Sequence, residues 1–362
     1  MTTDELQQPI NEKPLLTIAI PTYNRARCLR GNLEVLFDQL VGELRVELII
    51  SDNASTDETP TVVKAFIARG LQVRYLRNET NIGADANFMQ CFEQAHGKHF
   101  LLLGDDDLIF PGGIGVILNI IRNDENLDMI FLTSCPYQTF LQSKNEAPRR
   151  AIRSRVVLDP IQFSRLVNIR GDFIFISSMI INKSRIEKCI PESWPHMFGS
   201  NIAHLALIFT ALRKMERSLL VEDSILTGGI ARVESWNEPT AATVFVRNYL
   251  KAMELWLGEG ESKLQKVLID DLMVFWFRHW IWMRRDSTKD SMREAHRLVS
   301  VLSGEKALSG RRVRYMIFVL PLVCLPFCMA RVWNRLLRTV RRIIEITRYA
   351  IFTLRLPREK VS

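Results

Sequence analysis

Apolar residues in this chain fall into two rhythms. Short runs such as Leu15–Pro21 (LLTIAIP), Val46–Ser51 (VELIIS), Val73–Leu76 and His99–Leu103 (HFLLL) alternate with Arg27–Leu40, Asp57–Gly70 and Asn87–Ala95, where apolar positions recur at helical spacing. Runs that are apolar throughout suit strands buried on both faces. Joined to helices by short polar connections, they predict a parallel sheet covered on both sides. Ser143–Arg155 turns polar and basic and reads as an exposed loop bounding this first half. Gly171–Asn182 (GDFIFISSMIIN) regains strand character, Asn201–Met215 carries a strong helical pattern, and from about Val244 the chain is mostly helical. Leu272–Met283 holds three tryptophans, a heavy aromatic load for a surface helix. The chain shows no internal repeat and no low-complexity tract.

Composition changes this picture in one place. Of 362 residues 47% are hydrophobic and 24% charged, which excludes disorder as the main state. The net charge of +8 suggests a polyanionic partner, but residues 311–362 contain 12 Lys/Arg against 2 Asp/Glu, so the preceding residues sum to −2. Any anionic partner is expected to meet the tail, and a nucleic-acid-binding body is disfavoured. Within the tail, Tyr315–Ala330 is uncharged, but its 16 residues and two prolines fall short of the about 20 apolar residues a spanning helix needs. Beyond it arginines interleave with Leu, Ile, Val and Trp. Such a segment either packs on the body or lies on an anionic membrane leaflet; so many arginines with so few acids favour the membrane. The six cysteines are scattered without zinc spacing, and the first fourteen residues lack a secretory pattern, so a reducing, cytoplasmic location is expected.

The polar clusters follow the apolar runs. Pro21-Thr22-Tyr23-Asn24-Arg25 succeeds the first, Ser51-Asp52-Asn53-Ala54-Ser55-Thr56-Asp57 the second, and Gly104-Asp105-Asp106-Asp107 the HFLLL run. Parallel strands bring such ends to one edge, where open α/β sheets bind ligands. Asp52 can accept hydrogen bonds from a base or ribose, while Ser55–Asp57 alone read as a helix cap. Three adjacent carboxylates repel one another, a cost that a hard cation would offset; Mg²⁺ or Mn²⁺ held by one or two of them would complete its shell with diphosphate oxygens. The bland reading is a solvated acidic turn before Pro111-Gly112-Gly113.

The order PTYNR, SDNASTD, NIGADANF (Asn81–Phe88) and LLLGDDD resembles the family-2 glycosyltransferases, and the likeness covers about residues 14–120. It implies the A-type nucleotide-sugar fold: Rossmann-like, a mostly parallel sheet with helices on both faces, here followed by a helical, basic C-terminal region. By this resemblance Pro21, Thr22, Tyr23, Asn24 and Arg25 line the nucleotide pocket, Asp52 holds the base, Asn53 is among the donor-binding residues, and Asn81 and Gly83 lie beside the donor, with Asn87 opening its helix. Asp105 and Asp106 contact the donor, Asp106 at the ribose. Asp106 and Asp107 are the metal ligands, with Asp107 expected at an open site rather than in the core. Gly104 stands where the family usually begins its acidic run, so which carboxylates touch the metal stays open. GDFIFISSMIINK, Trp194-Pro195-His196 and GGIARVESW resemble the abequosyltransferase-like branch, which adds deoxysugars to O-antigen precursors.

Many members carry a Glu-Asp pair whose Asp acts as base; Ser200-Asn201 stand there in this chain. An acceptor hydroxyl still needs a base. His204 lies in an apolar pattern and reads as a core histidine, leaving His196, which could equally cap or pack. Arg232 clamps a diphosphate or is a surface arginine, and Trp236 stacks on a sugar or packs. The resulting division is a polar lead (1–14), a catalytic domain (15–240, with nucleotide-sugar half 15–120 and acceptor half 121–240), a helical extension (241–310) and a basic amphipathic tail (311–362). The expected activity is inverting, metal-assisted transfer of a sugar from a nucleoside-diphosphate donor to a lipid-linked, polyprenyl-diphosphate saccharide in surface-polysaccharide or O-antigen synthesis, at the cytoplasmic face of the cell membrane. The alternatives are a silent sugar-nucleotide-binding adaptor and a nucleotidyltransferase, the latter disfavoured by the absence of a Gly-rich loop after the first strand.

Overall fold

The computed structural model describes residues 13–135, 152–170, 173–190, 194–228, 243–257 and 262–270, with Met329, Val332, Leu336, Thr339 and residues 360–361. The chain divides into two compact units, one of residues 1–234 with 359–362, the other of residues 235–358. Arg232, Trp236, Leu272–Met283 and nearly all of the basic tail lie outside the described residues.

The first unit is built on β1 (Leu16–Thr22), β2 (Val46–Asp52), β3 (Arg74–Arg77) and β4 (His99–Leu102), linked by α1 (Ala26–Leu40), α2 (Thr59–Ala68) and α3 (Ala84–Gln94). All seven residues of β1 are buried, as its unbroken apolar run requires of a central strand. It pairs in parallel with β2 and β4, and β2 pairs in parallel with β3. Thr22 stands opposite Asp52, and Ala19 opposite Leu102, so the chains leaving β1, β2 and β4 emerge at one edge of the sheet.

The second half extends the same sheet with β5 (Leu108–Ile109), β6 (Met129–Cys135), β7 (Ile152–Val157), β8 (Met179–Asn182), β9 (Ser218–Thr227) and β10 (Lys360–Val361), with α4 (Gly113–Asn123), α5 (Pro160–Arg170), α6 (Lys183–Ile186) and α7 (Leu205–Lys214) packed around it. The strand order is β10-β7-β9-β6-β8-β4-β1-β2-β3, with β5 on β9. The parallel pattern breaks at β8, which runs antiparallel to both β4 and β6. Among the described residues of the expected Gly171–Asn182 run, strand structure is found in Met179–Asn182, preceded by a 3₁₀ turn at Ile176–Ser178. In the second unit the described residues include α8 (Tyr249–Leu257).

Some helix starts differ from the periodicity; α7 begins at Leu205, four residues after the start of the Asn201–Met215 pattern. α2 begins at Thr59 rather than Asp57, because the Asp57 carboxylate is used from outside the helix, accepting from Thr59 N (2.9 Å) and, across the fold, from Ala26 N (3.0 Å). α3 begins at Ala84, so Asn87 does not open it; Asn87 is buried and accepts from Ser51 Oγ (2.6 Å) while donating to Ser51 O (3.0 Å).

Candidate active site

The loops after β1 and β2 are laced together. Asn24 adopts φ 52°, donates its N–H to Ser55 Oγ (2.9 Å) and accepts from Thr56 N at Oδ1 (2.7 Å). Ala54, at φ 64°, is left-handed without the side-chain bonding that makes the conformation cheap for asparagine. Its position is enforced by Asp52, whose O accepts from Ala54 N (2.9 Å) and whose Oδ1 accepts from Ser55 N (2.8 Å). Asp52 Oδ2 accepts from Tyr75 Oη (2.6 Å) and faces Arg77 Nε at 3.5 Å. Burial and the Asp52 carboxylate together push the Tyr75 phenol well above its ordinary range. Asp52, fully buried, is thus the floor of the loop.

Asn53 organises the next loop, donating to Asn81 Oδ1 (2.8 Å) and Gly83 O (3.2 Å) and accepting from Asn78 Nδ2 (3.0 Å) and Ile82 N (2.9 Å). Asn81 Oδ1 also receives Gly83 N (2.8 Å). The structure therefore brings Asn53, Asn81 and Gly83 together as one hydrogen-bonded unit. Pro21 lies within β1, and Tyr23 presents its ring at the rim, 43% exposed.

The acidic turn sits beyond β4 against these loops. Thr22 Oγ1 donates to Asp105 Oδ2 (2.7 Å), and Arg25 bridges two carboxylates, Nε to Asp105 Oδ1 (3.1 Å) and a terminal nitrogen to Asp106 Oδ2 (2.6 Å). The mutual repulsion read from the sequence is thus offset in part by a guanidinium. It is not removed: burial, with Asp106 and Asp107 adding, pushes Asp105 up to about 7 although Arg25 and Thr22 pull it down. Burial pulls the Arg25 pKa down, but Asp105 and Asp106 together outweigh it and hold the guanidinium above its usual range.

Asp107 is buried, not open as expected; its carboxylate accepts from Ser177 Oγ, which in turn receives Gly104 N (2.8 Å). The more accessible carboxylate is Asp106, with 21% side-chain exposure. Asn32, fully buried on α1, donates to Gly104 O (3.2 Å) and Asp107 O (2.6 Å) and so closes the turn from below. Gly104 has a steric reason: a Cβ there would stand 2.5 Å from Asp107 Oδ2 and 3.1 Å from its Cγ. The acidic run begins one residue late because Asp107 fills the space an earlier side chain would need.

Beyond the nucleotide-pocket loops, Asp85 in the first turn of α3 reaches far along the chain to accept from Asn201 N (2.8 Å) and Ala203 N (3.0 Å). Burial raises its pKa, and these backbone donors oppose the rise. Asn201 is left-handed at φ 63°. Ser200 and Asn201 are therefore held by a carboxylate from another helix rather than supplying one. His204 is buried, bonded to Ile174 O (3.0 Å) and edge-on to Phe88; burial pushes it down to about 4 against the backbone bonds of Ile174 and Phe173. It is the core histidine its pattern suggested. His196 is exposed in the 3₁₀ turn Trp194–Met197, whose Trp194 packs on Phe92 in the last turn of α3.

Asn32, Asp85 and Ser177 were not singled out from the sequence. Asn32 had a readable signal, a polar residue on the apolar stripe Leu29, Leu33, Leu36, Leu40; Asp85 lay unweighted inside NIGADANF, and Ser177 inside an apolar run. For a cation, the donor set is chemically suitable: Asp106 and Asp107 are adjacent hard-oxygen ligands at the edge where the loops converge. Among the described residues no group of three or more His, Cys, Asp or Glu forms a cage, but Mg²⁺ or Mn²⁺ shared with a diphosphate needs only one or two carboxylates.

Comparison with known proteins agrees with this architecture. Residues 17–183 match the family model for glycosyl transferase family 2. Abequosyltransferase RfbV of Salmonella typhimurium is 27% identical over 201 residues, 51% of this chain and 59% of that protein. An uncharacterized glycosyltransferase of Methanocaldococcus jannaschii, MJ1057, is 23% identical over 121 residues, 33% of this chain and 41% of that one. The chain thus spans about half the length of these curated relatives. Among solved structures, S. aureus TarS in complex with UDP-GlcNAc shares the fold at TM-score 0.56 and 15% identity, covering 88% of each chain. These findings set aside the nucleotidyltransferase alternative. With the family's motifs ranged along one edge of this sheet and its model matched from β1 to the start of α6, residues 17–183 form a domain that matches glycosyl transferase family 2.

Proposed function

We propose that this glycosyltransferase moves a sugar from a nucleoside-diphosphate donor to a lipid-linked, polyprenyl-diphosphate saccharide acceptor in surface-polysaccharide or O-antigen synthesis, with inversion at the anomeric carbon. The observation that carries the reading is the acidic turn Asp105–Asp107, buttressed by Thr22, Asn32 and Ser177 at the edge where the loops of β1 and β2 meet. The similarity to an abequosyltransferase supports a deoxysugar or hexose donor and an O-antigen precursor as acceptor.

Asp52, tied to Tyr75 and Arg77, shapes the nucleotide pocket, and the exposed Tyr23 ring offers a face for stacking. Asn53 fixes Asn81 and Gly83 beside the donor. Asp106 and Asp107 would hold Mg²⁺ or Mn²⁺, which offsets the charge that builds on the diphosphate leaving group. As the acceptor oxygen bonds to the anomeric carbon, the bond from that carbon to the diphosphate oxygen breaks on the opposite face. His196 takes the acceptor proton; its turn leads directly into the Ser200–Ala203 loop that Asp85 holds. His204 is unsuited, being buried and engaged with backbone. Arg232 is proposed to clamp the diphosphate.

The membrane reading gains support from the tail. Among the described residues no helix is long and apolar enough to cross a membrane. Met329, Val332 and Leu336, helical and three and four residues apart, are 54%, 69% and 54% exposed, an apolar face in a segment rich in arginine. Such a face suits peripheral attachment to an anionic leaflet on the cytoplasmic side.

The test is a screen of UDP-, GDP-, CDP- and dTDP-sugars for thermal stabilisation with Mn²⁺, followed by transfer to a polyprenyl-diphosphate saccharide. Stabilisation by one donor class and its loss in Asp107→Asn are expected. Full transfer in EDTA would remove the metal from the mechanism.

A further inference from the structure

We infer that Arg25 competes with a divalent cation for Asp106, and that the donor's diphosphate relieves the competition by giving the guanidinium another anionic partner. The inference rests on the proposed reading of Asp106 and Asp107 as cation ligands.

The guanidinium does not bind one carboxylate in the usual two-pronged way. It spans two, with Nε on Asp105 Oδ1 at 3.1 Å and a terminal nitrogen on Asp106 Oδ2 at 2.6 Å. The same terminal nitrogen also touches Cys28 Sγ at 3.8 Å. The two arms differ in setting. Asp105 is 6% exposed in its side chain and keeps Thr22 Oγ1 on its other oxygen, so it stays in place whatever Arg25 does. Asp106 is 21% exposed and Arg25 itself 42%, so this arm lies at the rim and can exchange. The backbone does not have to follow: Arg25 O accepts from Leu29 N (3.0 Å) at the start of α1, and the preceding Asn24 is tied to Ser55 and Thr56.

A cation at Asp106 would therefore meet a permanent positive charge on the same carboxylate. An arginine cannot relieve that repulsion by losing its proton; it can only move. A diphosphate beside the turn presents the oxygens that a guanidinium fork matches well. Cation and diphosphate then strengthen each other's binding through Arg25, and the coupling is reciprocal. The arrangement disfavours the cation alone and favours it together with the donor.

The experiment measures Mn²⁺ alone, by the electron paramagnetic resonance signal of the free ion, titrated into the full-length protein. Arg25→Gln is expected to bind Mn²⁺ at least about tenfold tighter than wild type, a difference of about 1.4 kcal/mol. Arg25→Lys, which keeps a charge but cannot span both carboxylates, is expected between the two and serves if the glutamine variant folds poorly. Asp106→Asn in the Arg25→Gln background should abolish the gain. Equal or weaker Mn²⁺ binding in Arg25→Gln, or a gain that survives Asp106→Asn, overturns the competition while leaving the metal reading standing. Mn²⁺ binding by neither protein, with or without inorganic pyrophosphate, overturns both.

Discussion

Asn32 offers the sharpest test of how the acidic turn is held. It is fully buried in α1, and its Nδ2 supplies hydrogen bonds to Gly104 O at 3.2 Å and Asp107 O at 2.6 Å, the two ends of the turn. Asn32→Leu removes both donors and retains the bulk. Each such bond contributes about 1 kcal/mol net, and a bare buried carbonyl costs somewhat more. Gly104 O keeps Asp107 N at 3.1 Å, so the loss is not doubled there. Part of the remainder is recovered by burying an apolar side chain. The net expectation is a destabilisation of about 2 kcal/mol, equivalent to about 4–8 °C in Tm for a unit of this size. Asn32→Asp tests the electrostatics of the same position. A carboxylate facing two carbonyl oxygens holds its proton more strongly in the folded chain than in the unfolded one. Its penalty is absent in acid and grows as pH rises above the unfolded value near 4. Thermal unfolding followed by circular dichroism at pH 5 and pH 8 should show a larger deficit for Asn32→Asp at pH 8. An Asn32→Leu variant within about 1 °C of wild type, or an Asn32→Asp deficit independent of pH, would refute the clamp.

Four further outcomes are expected. Gly104→Ala forces a methyl to within 2.5 Å of Asp107 Oδ2 and should cut transfer sharply while costing about 1–3 kcal/mol, read from activity and denaturant unfolding together. His99 and His204, each pushed down to about 4 by burial, hold fewer protons folded than unfolded between about pH 6.5 and 4, so stability falls as pH drops through that window; His204→Leu should flatten this acid limb in urea titrations. Asp85→Asn leaves the N–H groups of Asn201 and Ala203 poorly matched, and should raise KM for the acceptor more than for the donor in steady-state kinetics. His196→Ala is expected to lower kcat by about 10²–10⁴-fold with donor affinity retained; unchanged turnover would move the base elsewhere.

The alternation of apolar runs and amphipathic stretches was enough to place β1 through β4 and α1 through α3 within a few residues, because a central parallel strand must be apolar on both faces and a covering helix on one. The polar clusters after β1, β2 and β4 were legible for the same reason: where a buried run stops and Asp, Asn and Thr begin, the sheet ends and the ligand edge starts. What could not be read were relations between distant residues. That Arg25 spans Asp105 and Asp106, that Asn32 closes the turn, and that Asp85 holds Asn201 are pairings 72 to 116 positions apart at the extremes, outside any local periodicity. The depth of Asp107 was likewise invisible, since a carboxylate reads as polar wherever it sits, and only the approach of Ser177 and the missing Cβ at Gly104 show it enclosed. Local pattern thus determined which segments form the first half of the sheet and where its edge lies; it did not show β6 or β9, and Ile152–Arg155, read as part of an exposed loop, begins the strand β7 with Ile152, Ser154 and Arg155 buried. Tertiary packing alone decided which of the adjacent carboxylates is buried, which is reachable and which cation already shares them, because charge compensation depends on distance in space rather than on order along the chain.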